Sequence, residues 1–121
     1  MVLVDTSVWV DHLRKGDAGL EDLLTKESVL THPFVIGELA LGNIPKRDVF
    51  LSAIGDLPKA TMAEDDEVLR FISDRALFGV GVGYVDVHLL AAAKLTAGAS
   101  LWTRDVRLLR VAQRLRLSWN P

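Results

Sequence analysis

The chain has 121 residues, half of them hydrophobic, enough for one domain with a core and too few for two. It contains no cysteine, which excludes disulfides, zinc-thiolate sites and thiol nucleophiles, so any metal must be held by oxygen or imidazole. With 14 basic against 16 acidic residues the net charge is -2, which argues against a protein that coats DNA by bulk charge.

The first element is "VLV" (2–4), which reads as a buried strand, and Thr6 to Arg14 follows as a helix with Val8, Leu13 and Trp9 turned inward. Gly16 and Gly19 interrupt it. "LEDLLTKE" (20–27) reads as a short helix and "SVLTH" (28–32) as a second strand. Pro33 suits the first turn of the helix that carries "FVIGELALG" to Gly42. A further helix spans 46–55, "KATM" (59–62) is a weak strand, and an acidic-headed helix runs from Glu64 to Leu77. "GVGVG" (79–83) is a glycine-rich bend before an alanine-rich helix over 85–96, which Gly98 ends. "SLWT" (100–103) is a strand, "RDVRLLRVAQRLR" (104–116) a helix and "LSW" (117–119) a terminal strand. Short apolar strands alternating with helices predict parallel βα units, an α/β class with the sheet covered on both faces, in one domain over 1–121. Neither a secretory leader nor an apolar run near the roughly eighteen residues of a membrane span is visible. A soluble, cytoplasmic protein without membrane contact is the expectation.

Ligands of such sheets gather beyond the carboxyl ends of the strands. Asp5 directly follows the first strand, Asp105 follows "SLWT" with Arg104 between, and Asp86 opens the alanine-rich helix. Each, taken singly, has the simpler reading of a helix cap. Glu38 resists it: between Phe34 and Gly42 it is the one ionisable side chain, mid-helix, with Phe34, Val35 and Leu41 at neighbouring helical spacings. A carboxylate in such company is costly unless a cation or hydrogen-bond donors meet it. If the four acids converge, a pair of carboxylates ~4 Å apart repels by roughly 4 kcal/mol at an effective dielectric near 20. Either some are protonated or a divalent cation sits among them. Oxygen ligands point to Mg²⁺ or Mn²⁺, which can activate water and offset charge on a phosphodiester.

"VLVDTSVWVDHLR", "VIGELALG", "GVGYVDVHLLAAA" and "LWTRDVRL", in this order and at these separations, resemble a PIN-domain ribonuclease of the VapC type, the toxin of a bacterial toxin–antitoxin pair. The resemblance spans nearly the whole chain. It implies an α/β/α sandwich around a parallel sheet and an acidic pocket for Mg²⁺ or Mn²⁺. Carried over by position, the family's acids fall on Asp5, Glu38, Asp86 and Asp105, with Asp5 and Asp86 as principal metal ligands. Thr103 matches the hydroxyl of the family's T-x-D element and would orient Asp105 or a phosphate, while Thr6 and Ser7 would support Asp5. Arg104 would pair with an acid or a phosphate, or lie on the surface. The implied reaction is metal-dependent RNA hydrolysis leaving a 5′-phosphate and a 3′-hydroxyl. A cognate VapB-type antitoxin and a homodimer are the implied partners. The alternative is a PIN-like module that binds RNA or protein without cutting.

Other features carry simpler readings. "GVGVG" lacks the strand and spacing of a dinucleotide fingerprint. "DTSVW" has Ser7 where an aspartyl-phosphate enzyme needs a second acid. "EDDE" (64–67) reads as a solvated helix start without catalytic role. Asp11, His12 and His32 read as surface or satisfied groups, and His88 as packing at the pocket edge. Trp9, Trp102 and Trp119 are expected in core or partner contacts. The helix at 46–55 has surplus apolar surface suited to a dimer or antitoxin groove. The arginines at 104, 107, 110, 114 and 116 form a solvated face or a phosphate grip.

Overall fold

A computed structural model of the chain describes residues 1–120. Strand β1 (Val2–Val4) is buried at all three positions. Alternate side chains of a strand face opposite ways, so burial throughout requires cover on both faces. β1 is the centre of a parallel sheet of order β2-β1-β3, with β2 (Val29–Leu30) on one side and β3 (Ser100–Trp102) on the other. Val2 faces Val29 and Ser100 in register, and Val4 faces Trp102. Single parallel bridges extend the pairing outward, from Thr31 to Lys59 and from Leu101 to Ser118. The α/β class with a central parallel sheet is therefore the observed one.

Among the described residues, seven helices surround the sheet: α1 (Thr6–Lys15), α2 (Ala18–Thr25), α3 (Pro33–Ala40), α4 (Arg47–Gly55), α5 (Asp65–Asp74), α6 (Tyr84–Leu95) and α7 (Val106–Arg114). Their ends follow local chemistry. Gly16, at φ 74°, closes α1 in a conformation that other residues avoid. Asp17 starts α2 by accepting the Leu20 N–H at 2.9 Å, and Pro33 occupies the first turn of α3, where no N–H is needed. In α6 every residue from Val87 to Ala93 is buried, so this helix is enclosed on all sides and its three alanines allow close packing. Leu3, Leu89, Leu90, Leu101 and Leu108 are fully buried together in the core; each such leucine contributes roughly 1.5–3 kcal/mol.

Several expected boundaries move. The second strand is two residues long, because Thr31 turns to Lys59 and His32 already caps α3. The acidic-headed helix ends at Asp74, where Arg75 closes it and Ala76 turns to φ 52°. The last helix begins at Val106, since Asp105 is its cap rather than a member. "KATM" and "LSW" form isolated bridges, not strands. Near residue 119, the Leu101 N–H donates to the Leu117 carbonyl and the Trp119 N–H to the Leu101 carbonyl, and among the described residues pairing goes no further.

The order β2-β1-β3 means that the chain leaves β1 toward one side and returns through β3 on the other. The loops after β1 and β3 therefore diverge, opening a crevice at their carboxyl ends.

Candidate active site

Asp5 lies in that crevice, 5% exposed. Its N–H donates to the Trp102 carbonyl at 2.9 Å, continuing the β1–β3 pairing by one residue. It occupies the cap position of α1, yet its side chain accepts no helix N–H; capping does not explain it. Instead Oδ2 accepts the hydroxyls of Ser7 and Thr103, both at 2.7 Å. Each hydroxyl is held in turn, Ser7 by the Arg104 N–H at 3.0 Å and Thr103 by the Asp105 N–H at 3.1 Å. The network ties the start of α1 to the loop after β3 and fixes the carboxylate between them.

The other three acids surround this point from different elements. Asp105 caps α7, its Oδ1 accepting the Leu108 N–H at 3.0 Å. Asp86, in the first turn of α6, accepts the Gly83 N–H at 3.0 Å through Oδ2. For these two the capping reading holds, and it uses one oxygen of each. Glu38 corrects an expectation: it is exposed, as are its neighbours Gly37 and Leu41. α3 turns this face to solvent, so the apolar spacings overstated its burial. It is tethered all the same, because the Thr6 hydroxyl donates to its Oε1 at 2.8 Å.

Burial raises the Asp86 carboxyl above the ordinary aspartate value; the Gly83 N–H opposes this, and the charges of Asp5, Asp105 and Glu38 add to the rise. All four acids thus share one field. In each, one oxygen is engaged and the second, Oδ1 of Asp5, Oδ1 of Asp86, Oδ2 of Asp105 and Oε2 of Glu38, makes no hydrogen bond among the described residues. Four carboxylates with one spare oxygen apiece, and no thiolate, form a donor set suited to a hard divalent cation. Among the described residues, no group of three or more His, Cys, Asp or Glu side chains stands in an arrangement that could hold a metal ion.

Arg104 turns away from the acids: its guanidinium pairs with Asp11 at 2.9 Å and with Asp17, which it holds below the usual carboxylate range. It also lies over the Trp102 ring at 5.3 Å. Its backbone, not its charge, reaches the Asp5 network. Trp9 is buried, and Trp102 packs on Trp119 with ring centres 4.6 Å apart. The solvated helix-start reading of "EDDE" holds, all four acids being exposed, and the surface-or-satisfied reading of His32 holds for one ring nitrogen only. His32 is completely buried, with Nδ1 accepting the Phe34 N–H at 3.0 Å and Nε2 without a partner. Asp65, from "EDDE", accepts the Tyr84 hydroxyl at 3.0 Å and stands 3.3 Å from His88 Nε2, joining α5 to the start of α6. The "THP" sequence, a cap candidate before a first-turn proline, carried the signal for His32. Nothing local marked the Asp65 contact, which spans 19 positions to Tyr84.

A parallel α/β sandwich whose strands end on a cluster of acids is the class that fold and site define. The PIN domain family model matches residues 2–114. The chain is 51% identical over 108 residues to Ribonuclease VapC32 of Mycobacterium tuberculosis, in strain CDC 1551 / Oshkosh and equally in strain ATCC 25618 / H37Rv, with 89% of this chain and 87% of each relative covered. The chain belongs to the PIN-domain family, in its VapC type.

Proposed function

We propose that the protein is a divalent-metal-dependent endoribonuclease and the toxin of a toxin–antitoxin pair. The observation that carries this reading is Asp86, whose carboxyl is raised first by burial and then by the charges of Asp5, Asp105 and Glu38, the four acids coming from separate parts of the chain. The relatives named as ribonucleases direct the choice of substrate to RNA. Asp5 and Asp86 would be the principal holders of Mg²⁺ or Mn²⁺, with Glu38 and Asp105 completing the set. The bound ion would supply charge neutralisation and a more acidic water.

The chain's own residues do the positioning. Thr103 and Ser7 occupy Oδ2 of Asp5, so its rotamer is fixed and Oδ1 is left for the ligand. Thr6 restrains Glu38 at the pocket mouth. Water adds to the phosphorus as the P–O3′ bond breaks, and a proton passes to the departing 3′-oxygen, giving a 5′-phosphate and a 3′-hydroxyl. A VapB-type antitoxin and a second copy of the chain are the partners this reading implies. No helix among the described residues is long and apolar enough to cross a membrane.

Purified protein is expected to cleave RNA with Mg²⁺, to stop in EDTA, and to lose about a thousandfold or more of its rate in Asp5→Asn. Persistent cleavage in chelator would reject the mechanism. Tight RNA binding without turnover in either metal would establish the non-cutting alternative.

A further inference from the structure

The five arginines near the carboxyl end do not share one role. Arg104 is neutralised by Asp11 and Asp17. Arg114 donates to the carbonyls of Arg75 and Ala76 at 2.9 and 3.5 Å. Arg107 and Arg110, both exposed, make neither an ion pair nor a hydrogen bond among the described residues. Together with Arg114 they stand at i, i+3 and i+7 on one face of α7, about 4.5 and 10.5 Å along the axis from Arg107. Like charges so placed repel, and no acid lines their groove.

That groove, of about 320 Å³, is lined by Val80, Arg107, Arg110, Val111 and Arg114. Its far wall is the glycine-rich bend. Gly81 has φ 85°, and a Cβ there would come within 2.9 Å of Arg107 Cδ and 3.3 Å of its Nε and Nη1. The bend is thus shaped around the Arg107 side chain, which lies across bare backbone. The groove also begins where the acids end: Arg107 follows Asp105 by two positions, and Gly83, at the end of the bend, donates its N–H to Asp86.

We propose that this groove is the track for the single-stranded RNA segment next to the scissile phosphate, with Arg107 and Arg110 gripping its phosphates. The inference rests on the ribonuclease reading of the acidic pocket. An extended polyanion matches a row of unpaired guanidiniums in a chain that is net negative overall. Val80 and Val111 give the floor an apolar surface against which a ribose or base can lie.

The test combines binding and cleavage. Fluorescence anisotropy of a labelled single-stranded RNA dodecamer is followed over a salt series, in the Asp5→Asn background to prevent turnover. Adding Arg107→Gln and Arg110→Gln is expected to raise Kd about tenfold and to flatten the slope of log K against log salt by about 1.4, near 0.7 per phosphate lost. Arg107→Lys with Arg110→Lys restores most of the slope, which separates lost charge from a damaged fold. If the unsubstituted chain cleaves RNA while the double Gln variant keeps its affinity and slope, the track is overturned and the nuclease stands. If the unsubstituted chain neither binds nor cuts RNA, both fall. If the double Gln variant loses affinity for a labelled polyglutamate peptide but not for RNA, the groove serves a protein partner and the proposal is overturned.

Discussion

Two buried polar clusters lie in this small core, and their chemistry is handled in opposite ways. Around Asp5, the hydroxyls of Ser7 and Thr103 each donate to the carboxylate and accept a backbone N–H, so the charge is held by groups that are themselves held. Around His32 and His88, three buried ring nitrogens make no hydrogen bond, His88 Nε2 having only the Asp65 carboxylate at 3.3 Å, and the rings make edge contacts, His32 on Phe34 at 5.1 Å and His88 on Phe34 and Tyr84 at 4.8 and 4.7 Å. An unsatisfied buried polar group costs roughly 1–3 kcal/mol. The carboxylate is furnished with donors, whereas the imidazoles are packed chiefly through their ring edges.

The contrast breaks first under acid. Burial, with His88 nearby, pushes the His32 pKa down to about 4 from an ordinary 6.5. As pH falls below 6.5 the unfolded chain takes up this proton before the folded one. The His32 contribution is therefore full above about 6.5, declines as pH drops from 6.5 to 4, and is flat below. Its size is about 3 kcal/mol. Urea unfolding at pH 7 and pH 4.5 measures it, with His32→Asn as reference because asparagine can still cap α3; an equal pH dependence in both proteins would remove the contrast.

Thr103→Val sharpens it from the other side. Losing one donor to Asp5 is expected to lower RNA-cleavage kcat/KM by about 10- to 100-fold and stability by roughly 1–3 kcal/mol. Steady-state kinetics beside a thermal melt read the two effects; a loss of stability alone would make the network merely structural. The smallest effect is expected at the solvent end of the pocket. Thr6→Val removes an exposed bond to Glu38 and should reduce kcat/KM by about threefold with little change in Tm.

The parts legible in the sequence are those with a local cause. The apolar triplet of β1, the short run of β3 around Leu101, the proline that opens α3 and the acids placed just past strand ends can all be read from neighbours in the chain. Glu38 stood out in the sequence as a lone acid but not as an exposed one, since helical spacing cannot tell which apolar neighbours, such as the 89% exposed Leu41, escape burial. Arg104 chose Asp11 and Asp17 over the pocket, 93 and 87 positions away, and only the finished fold sets that choice. "LSW" has strand composition, but α7 runs directly into it through Leu115 and Arg116, the latter at φ 58°, and only Ser118 bridges the sheet.

The central place of β1 has a consequence for how the site is built. Its neighbour β3 and the Thr103 hydroxyl that steadies Asp5 come from about 98 positions further along the chain. Without the stretch from residue 100 onward, β1 keeps one open edge and Asp5 a single hydroxyl partner. The hydrogen bonding of Asp5 is therefore closed by two distant stretches of chain, and neither holds it alone.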